Sequence, residues 1–148
     1  MLLLKANVKA LIDILKWLQT QRYRILVVCC KFASDKAGLM TEVCGSAEGK
    51  YIDVGSQLLP VINRPVLGAY NVSDFVRWLE SELRQSDQMV CFDEIEGLLA
   101  TFGEAGATRF FEILGDIETS QPGIIVTYLE NELTKANFPK ERIYHLVG

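Results

Sequence analysis

The sequence has one histidine, four prolines and no C-x-x-C pair among its four cysteines, Cys29, Cys30, Cys44 and Cys91. These shortages exclude much at once. With His145 alone and no closely paired thiolates, a zinc site of the usual spacing has no ligand set. Long hydrophobic runs are missing too: ILVVCC and MLLL are the longest, far short of the ~20 residues that cross a bilayer. Lys5, Lys9 and Asp13 interrupt the apolar N-terminal segment and no small-residue cleavage site follows, so a secretory signal is not expected. There is no basic block and the net charge is −4, which disfavours direct, tight nucleic-acid binding by this chain alone. A cytoplasmic protein without membrane contact is the expectation.

What is present is apolar material. Of 148 residues, 49% are hydrophobic, and the mean hydropathy is +0.17. That suffices for one full core, with a surplus that a partner would cover. No internal repeat, low-complexity segment or linker divides the chain, so a single domain over residues 1–148 is expected.

Residues 1–22 read as an amphipathic helix, with Leu4, Val8, Leu11, Leu15 and Leu18 in one stripe, Ile12 widening it and Trp17 enlarging the apolar surface. Packing on the domain is favoured over partner binding. RILVVCC reads as a strand buried on both faces, as in parallel sheets. AGLMTEVCGSAEG is a short helix that Gly45 or Gly49 can end. KYIDVGSQLL is a second strand with a turn or short helix, followed by an irregular crossing at Pro60 and Pro65. NVSDFVRWLESELRQ is the clearest helix, with Asn71 as N-cap and Val72, Phe75, Val76, Leu79 and Leu83 on one face. QMVCFDEI and GIIVTYL are further buried strands. ATRFFEILGDIETS between them is a helix with Phe110, Ile113, Leu114 and Ile117 inward. RIYHLV closes the chain as a fifth strand. The alternation predicts right-handed crossovers and a three-layer αβα sandwich around a mainly parallel sheet.

In such sheets ligands bind beyond the carboxyl ends of the strands. The third strand ends in Asp93-Glu94. Paired carboxylates at the end of a buried strand are costly unless water, a metal or a cation meets them. Nucleotide hydrolases use this arrangement: the first acid holds Mg²⁺ and the second polarises the attacking water. An acidic surface turn is the plain alternative. The first strand runs into CCKFASDKAGL, the place of a phosphate loop, G-x-x-x-x-G-K-[ST]. With Lys36 on the lysine of that pattern, Cys30 and Asp35 replace its glycines, Ala37 replaces its hydroxyl residue, and Gly38 falls one place beyond. Taken alone, this segment reads as a strand-to-helix turn with a solvent-facing lysine. Thr127 ends the fourth strand, where a polar residue holds attacking water in such enzymes, although threonine is common in strands.

The order of lysine loop, Asp-Glu and polar strand end resembles the P-loop ATPases that carry an extra catalytic glutamate, the broad group that includes the AAA+ proteins. KYIDVGSQLL, FDEIEGLL and FFEILGDIETSQPGIIVTYLE are similar to the BrxF family of small P-loop proteins from BREX phage-defence systems. The likeness covers the layout of residues 24–148, with a degenerate phosphate loop. It implies the sheet order 5-1-4-3-2, with ATP and Mg²⁺ as cofactors. Lys36 would reach the phosphates, flanked by Ala37 and Gly38. Asp93 would serve the metal, Glu94 would be the general base and Thr127 the sensor. Arg142, near Lys135 and Lys140, matches the segment that supplies an arginine to a neighbouring subunit, or is a solvated basic turn. A helical lid like that of the group is not expected, since the sequence stops at Gly148. The resemblance implies an oligomeric ATPase subunit of an antiviral complex, with weakened or partner-dependent nucleotide binding. A P-loop-fold scaffold with a decayed site and a plain α/β protein are the alternatives.

Overall fold

The computed structural model describes residues 2–31, 38–62 and 70–146. Seven helices are present among them: α1 (Leu2–Leu18), α2 (Leu39–Ser46), α3 (Val54–Ile62), α4 (Val72–Gln85), α5 (Glu96–Thr101), α6 (Gly103–Leu114) and α7 (Glu130–Lys135). Five strands form one sheet: β1 (Ile25–Cys29), β2 (Lys50–Asp53), β3 (Val90–Asp93), β4 (Gly123–Thr127) and β5 (Ile143–His145). The order is β2-β3-β4-β1-β5 and every pairing is parallel. Read from the other edge, that is the expected 5-1-4-3-2, and the sheet is wholly rather than mainly parallel.

The reason lies in β1, β3 and β4, which are buried at every position. Only a sheet covered on both faces accepts such strands. Alternation then divides the side chains between two cores. Ile25, Val27, Ile52, Phe92 and Ile125 face α3 to α7. Leu26, Val28, Cys91, Ile124 and Val126 face α1 and α2. The larger core is aromatic, with Phe75 stacked on Phe110 at 5.0 Å between ring centres. α4 begins as its sequence predicts, with a reciprocal capping box between Asn71 and Asp74.

Several details differ from the sequence reading. α3 runs through Pro60, while Pro65 lies outside the described residues. α6 starts at Gly103 and stops at Leu114, and Phe111 is buried more deeply than Ile113. Gly45 is inside α2 rather than at its end. α1 packs on the domain through Leu11, Leu15 and Leu18, leaving Trp17 40% exposed. Asn7, buried in the same helix, accepts a hydrogen bond from the Tyr144 hydroxyl at 2.7 Å. No helix among the described residues is long and apolar enough to cross a membrane.

Arg142 is neither a solvated turn nor an outward-facing finger. It is buried in a 3-10 turn, Lys140–Arg142. Its guanidinium donates to the carbonyls of Gly115 (2.7 Å) and Ile25 (3.3 Å). The rings of Tyr23 and Phe138 flank it. Ile25 opens β1, so Arg142 is anchored at the amino end of the sheet, away from the carboxyl ends. Lys135 is separately paired with Glu104 on the surface. Arg142→Ala should therefore cost about 3 kcal/mol in chemical denaturation, because it strands two buried carbonyls.

Candidate functional site

Strands β1 and β4 are neighbours, yet their connections leave over opposite faces. β1 leads to α2 on one face and β4 to α7 on the other. That divergence is the switch point where open parallel sheets bind ligands, at the carboxyl ends of the strands. Cys30, just past β1, roots the first loop there: its amide donates to the Thr127 carbonyl at 2.9 Å and its thiol to the same oxygen at 3.4 Å. Lys36 and Ala37 lie outside the described residues. Gly38 enters α2 with φ +78°, a left-handed conformation that glycine adopts without a Cβ clash. Burial, then Glu130 and Cys30, pushes the Cys29 thiol up to about 11, so it stays protonated and is no nucleophile at neutral pH.

Asp93 is the last residue of β3 and only 5% exposed. Alternation places it on the face of Cys91, toward α1 and α2. Each of its carboxylate oxygens accepts a fixed donor. The Glu94 amide reaches Oδ1 at 2.8 Å and the Tyr51 hydroxyl reaches Oδ2 at 2.7 Å. Tyr51 comes from β2, where it pairs with Cys91, while Asp53 pairs with Asp93. Tyr51 therefore shares a sheet face with Asp93, one strand over and two residues back, a gap the length of a tyrosine closes.

Glu94 follows with φ +58°, a conformation that costs a non-glycine residue about 1–2 kcal/mol. The residue is exposed at the carboxyl end of the sheet. The first turn of α3 packs directly against it, since a Cβ on Gly55 would lie 3.3 Å from the Glu94 carbonyl. Two residues on, the nearly buried Glu96 accepts a hydrogen bond from the Tyr128 amide at 3.3 Å, tying the end of β3 to the end of β4. Thr127 is fully buried. Its hydroxyl accepts from the Leu129 amide at 3.0 Å, and alternation sets it on the sheet face opposite Asp93.

Cys30, Asp93, Glu94 and Thr127 are thus brought to one end of the sheet, and Gly38 opens the helix beside them. Arg142 is at the other end. Among the described residues no three His, Cys, Asp or Glu side chains converge to hold a metal. Three surface cavities of about 540, 630 and 680 Å³ lie away from Asp93: below the amino ends near Lys16 and Met89, between α4 and α6, and along α7 and β5. The strand-end chemistry is the better guide, because Asp93, Glu94 and Thr127 gather at the carboxyl ends of the strands. Tyr51 escaped the sequence reading. Aligning the acidic ends of KYID and VCFD, once β2 is set beside β3, would have found it.

No family model, curated protein or solved structure matches this chain. The site is therefore read from its own geometry.

Two outcomes follow from it. Burial, then the hydrogen bond to Asp93, raises the pKa of Tyr51 above its ordinary value. A raised pKa means stability present below the unfolded tyrosine pKa of about 10 and lost as pH climbs through the folded one. Asp93→Asn should lower the Tyr51 transition in ultraviolet titration, yet leave it above that of a free tyrosine, since burial remains. Glu94→Gly should stabilise the fold by about 1 kcal/mol in urea denaturation, by relieving the left-handed backbone.

Proposed function

We propose that the chain is a P-loop-type, ATP-binding and ATPase-like subunit of a larger assembly. One observation carries the reading: the oriented Asp93 carboxylate and the exposed Glu94 sit together at the carboxyl end of β3, next to the β1–β4 switch point. Mg²⁺ in nucleotide sites takes one or two protein carboxylates, with waters and phosphates filling its shell. Asp93 is a donor of that kind, already aligned. When bound, the metal would neutralise developing phosphate charge. Glu94 would take the proton of the attacking water, and its exposure suits that task. Lys36, with Ala37 and Gly38, would face the phosphates from the first loop. Asp35 beside Lys36 and the missing hydroxyl at Ala37 weaken that hold, so binding is weak or partner-assisted. The narrower placement, as a cytoplasmic subunit of a prokaryotic antiviral complex of the BREX type, with other protein subunits or further copies as partners, rests on the sequence resemblance alone.

Thermal shift and calorimetry with Mg-ATP test this. At a concentration ten times Kd, the wild type should gain about 3–5 °C in Tm. Lys36→Ala should lose the shift. Glu94→Gln should keep it and lose about 10²-fold or more in phosphate release. No shift in the wild type, alone or with its partners, overturns the nucleotide reading. Binding without phosphate release in the wild type selects a nucleotide-sensing scaffold over an ATPase.

A further inference from the structure

We propose that Tyr51 is a positioning residue for the cation: its hydroxyl fixes the Asp93 carboxylate in the orientation that a hydrated divalent metal requires. This rests on the nucleotide reading of the site and adds to it the residue that sets its metal dependence.

Three observations converge. First, the two oxygens of Asp93 are held by donors of different origin, the Glu94 amide behind and the Tyr51 hydroxyl at the side. Donors on both oxygens hold the plane of a carboxylate more firmly than a donor on one. Second, the Tyr51 hydroxyl arrives from the neighbouring strand, so its position depends on β2–β3 pairing and not on the local turn. Third, the Tyr51 residue is 44% exposed, while the carboxylate it touches is nearly buried. What the hydroxyl gains is a short, charge-assisted hydrogen bond.

Partners that orient a metal-binding carboxylate typically change metal affinity by 10–100-fold when removed. Through a water-bridged contact the lower figure applies. Free Mg²⁺ is therefore titrated at fixed ATP, with complex formation followed by calorimetry and thermal shift. Tyr51→Phe removes only the hydroxyl and keeps the ring. The expected result is a half-saturating Mg²⁺ concentration about tenfold higher than in the wild type. ATP affinity in EDTA should be unchanged. In an Asp93→Asn background the same substitution should make no further difference, because its effect passes through Asp93.

Equal half-saturation in wild type and Tyr51→Phe overturns the assignment. So does a loss of ATP affinity that is the same with and without Mg²⁺, which would mark a structural role, or an effect that persists in the Asp93→Asn background. Wild-type ATP binding that ignores Mg²⁺ overturns it while leaving nucleotide binding standing. A wild type that responds to neither ATP nor Mg²⁺ removes both readings together.

Discussion

The constraint on which this molecule depends is dryness on both faces of β1 and β4. Every residue of the two strands is buried, from Ile25 to Cys29 and from Gly123 to Thr127. A charge placed along them would lose its hydration without gaining a partner. Polar chemistry is therefore expelled to the strand ends, and the two ends are treated differently. At the amino end, guanidinium groups close the structure. Arg24 donates to the carbonyls of Gln21, Thr119 and Ser120, and Arg142 to those of Ile25 and Gly115. At the carboxyl end stand carboxylates, Asp93, Glu94 and Glu96, arranged around loops. Arg24 and Arg142 cap carbonyls at one end, and the acids of the candidate site stand at the other.

The faces are unequal as well. Helices α3 to α7 cover one side with stacked aromatic rings, whereas α1 and the short α2 cover the other. Asp93 points toward the thinner layer, the one the first loop feeds. Glu94 is braced from the thicker side, by the first turn of α3 at Gly55. The two adjacent acids are thus held by different layers of the sandwich. This explains how one can be nearly buried while its neighbour stands in solvent.

Most of the fold was legible because its strands are unbroken apolar runs bounded by charge or glycine. VCFD, GIIVT and ILVVC need no partner to be recognised, and the alternation with helices leaves few sheet orders open. α5 and α7 were not legible. Each is six residues long and neither has a side-chain cap, so local signals are weak and tertiary packing through Leu98, Leu99 and Leu133 holds them. The acids of the site were visible as residues that do not belong at the end of an apolar run. Their orientation was not, since it depends on Tyr51, 42 residues earlier. The burial of Arg142 was hidden for a similar reason: the carbonyls that hold it belong to Ile25 and Gly115, distant in sequence.

Strand β2 is one of the two edge strands of the sheet and, among the described residues, pairs with β3 alone. Its four residues, Lys50 to Asp53, face solvent on two positions and the core chiefly through Ile52. Side chains on a strand alternate, so a slip of one residue along β3 would turn Ile52 outward and carry Tyr51 to the opposite face. The single buried isoleucine of an edge strand thus acts as the index pin that keeps a phenol and a carboxylate in step.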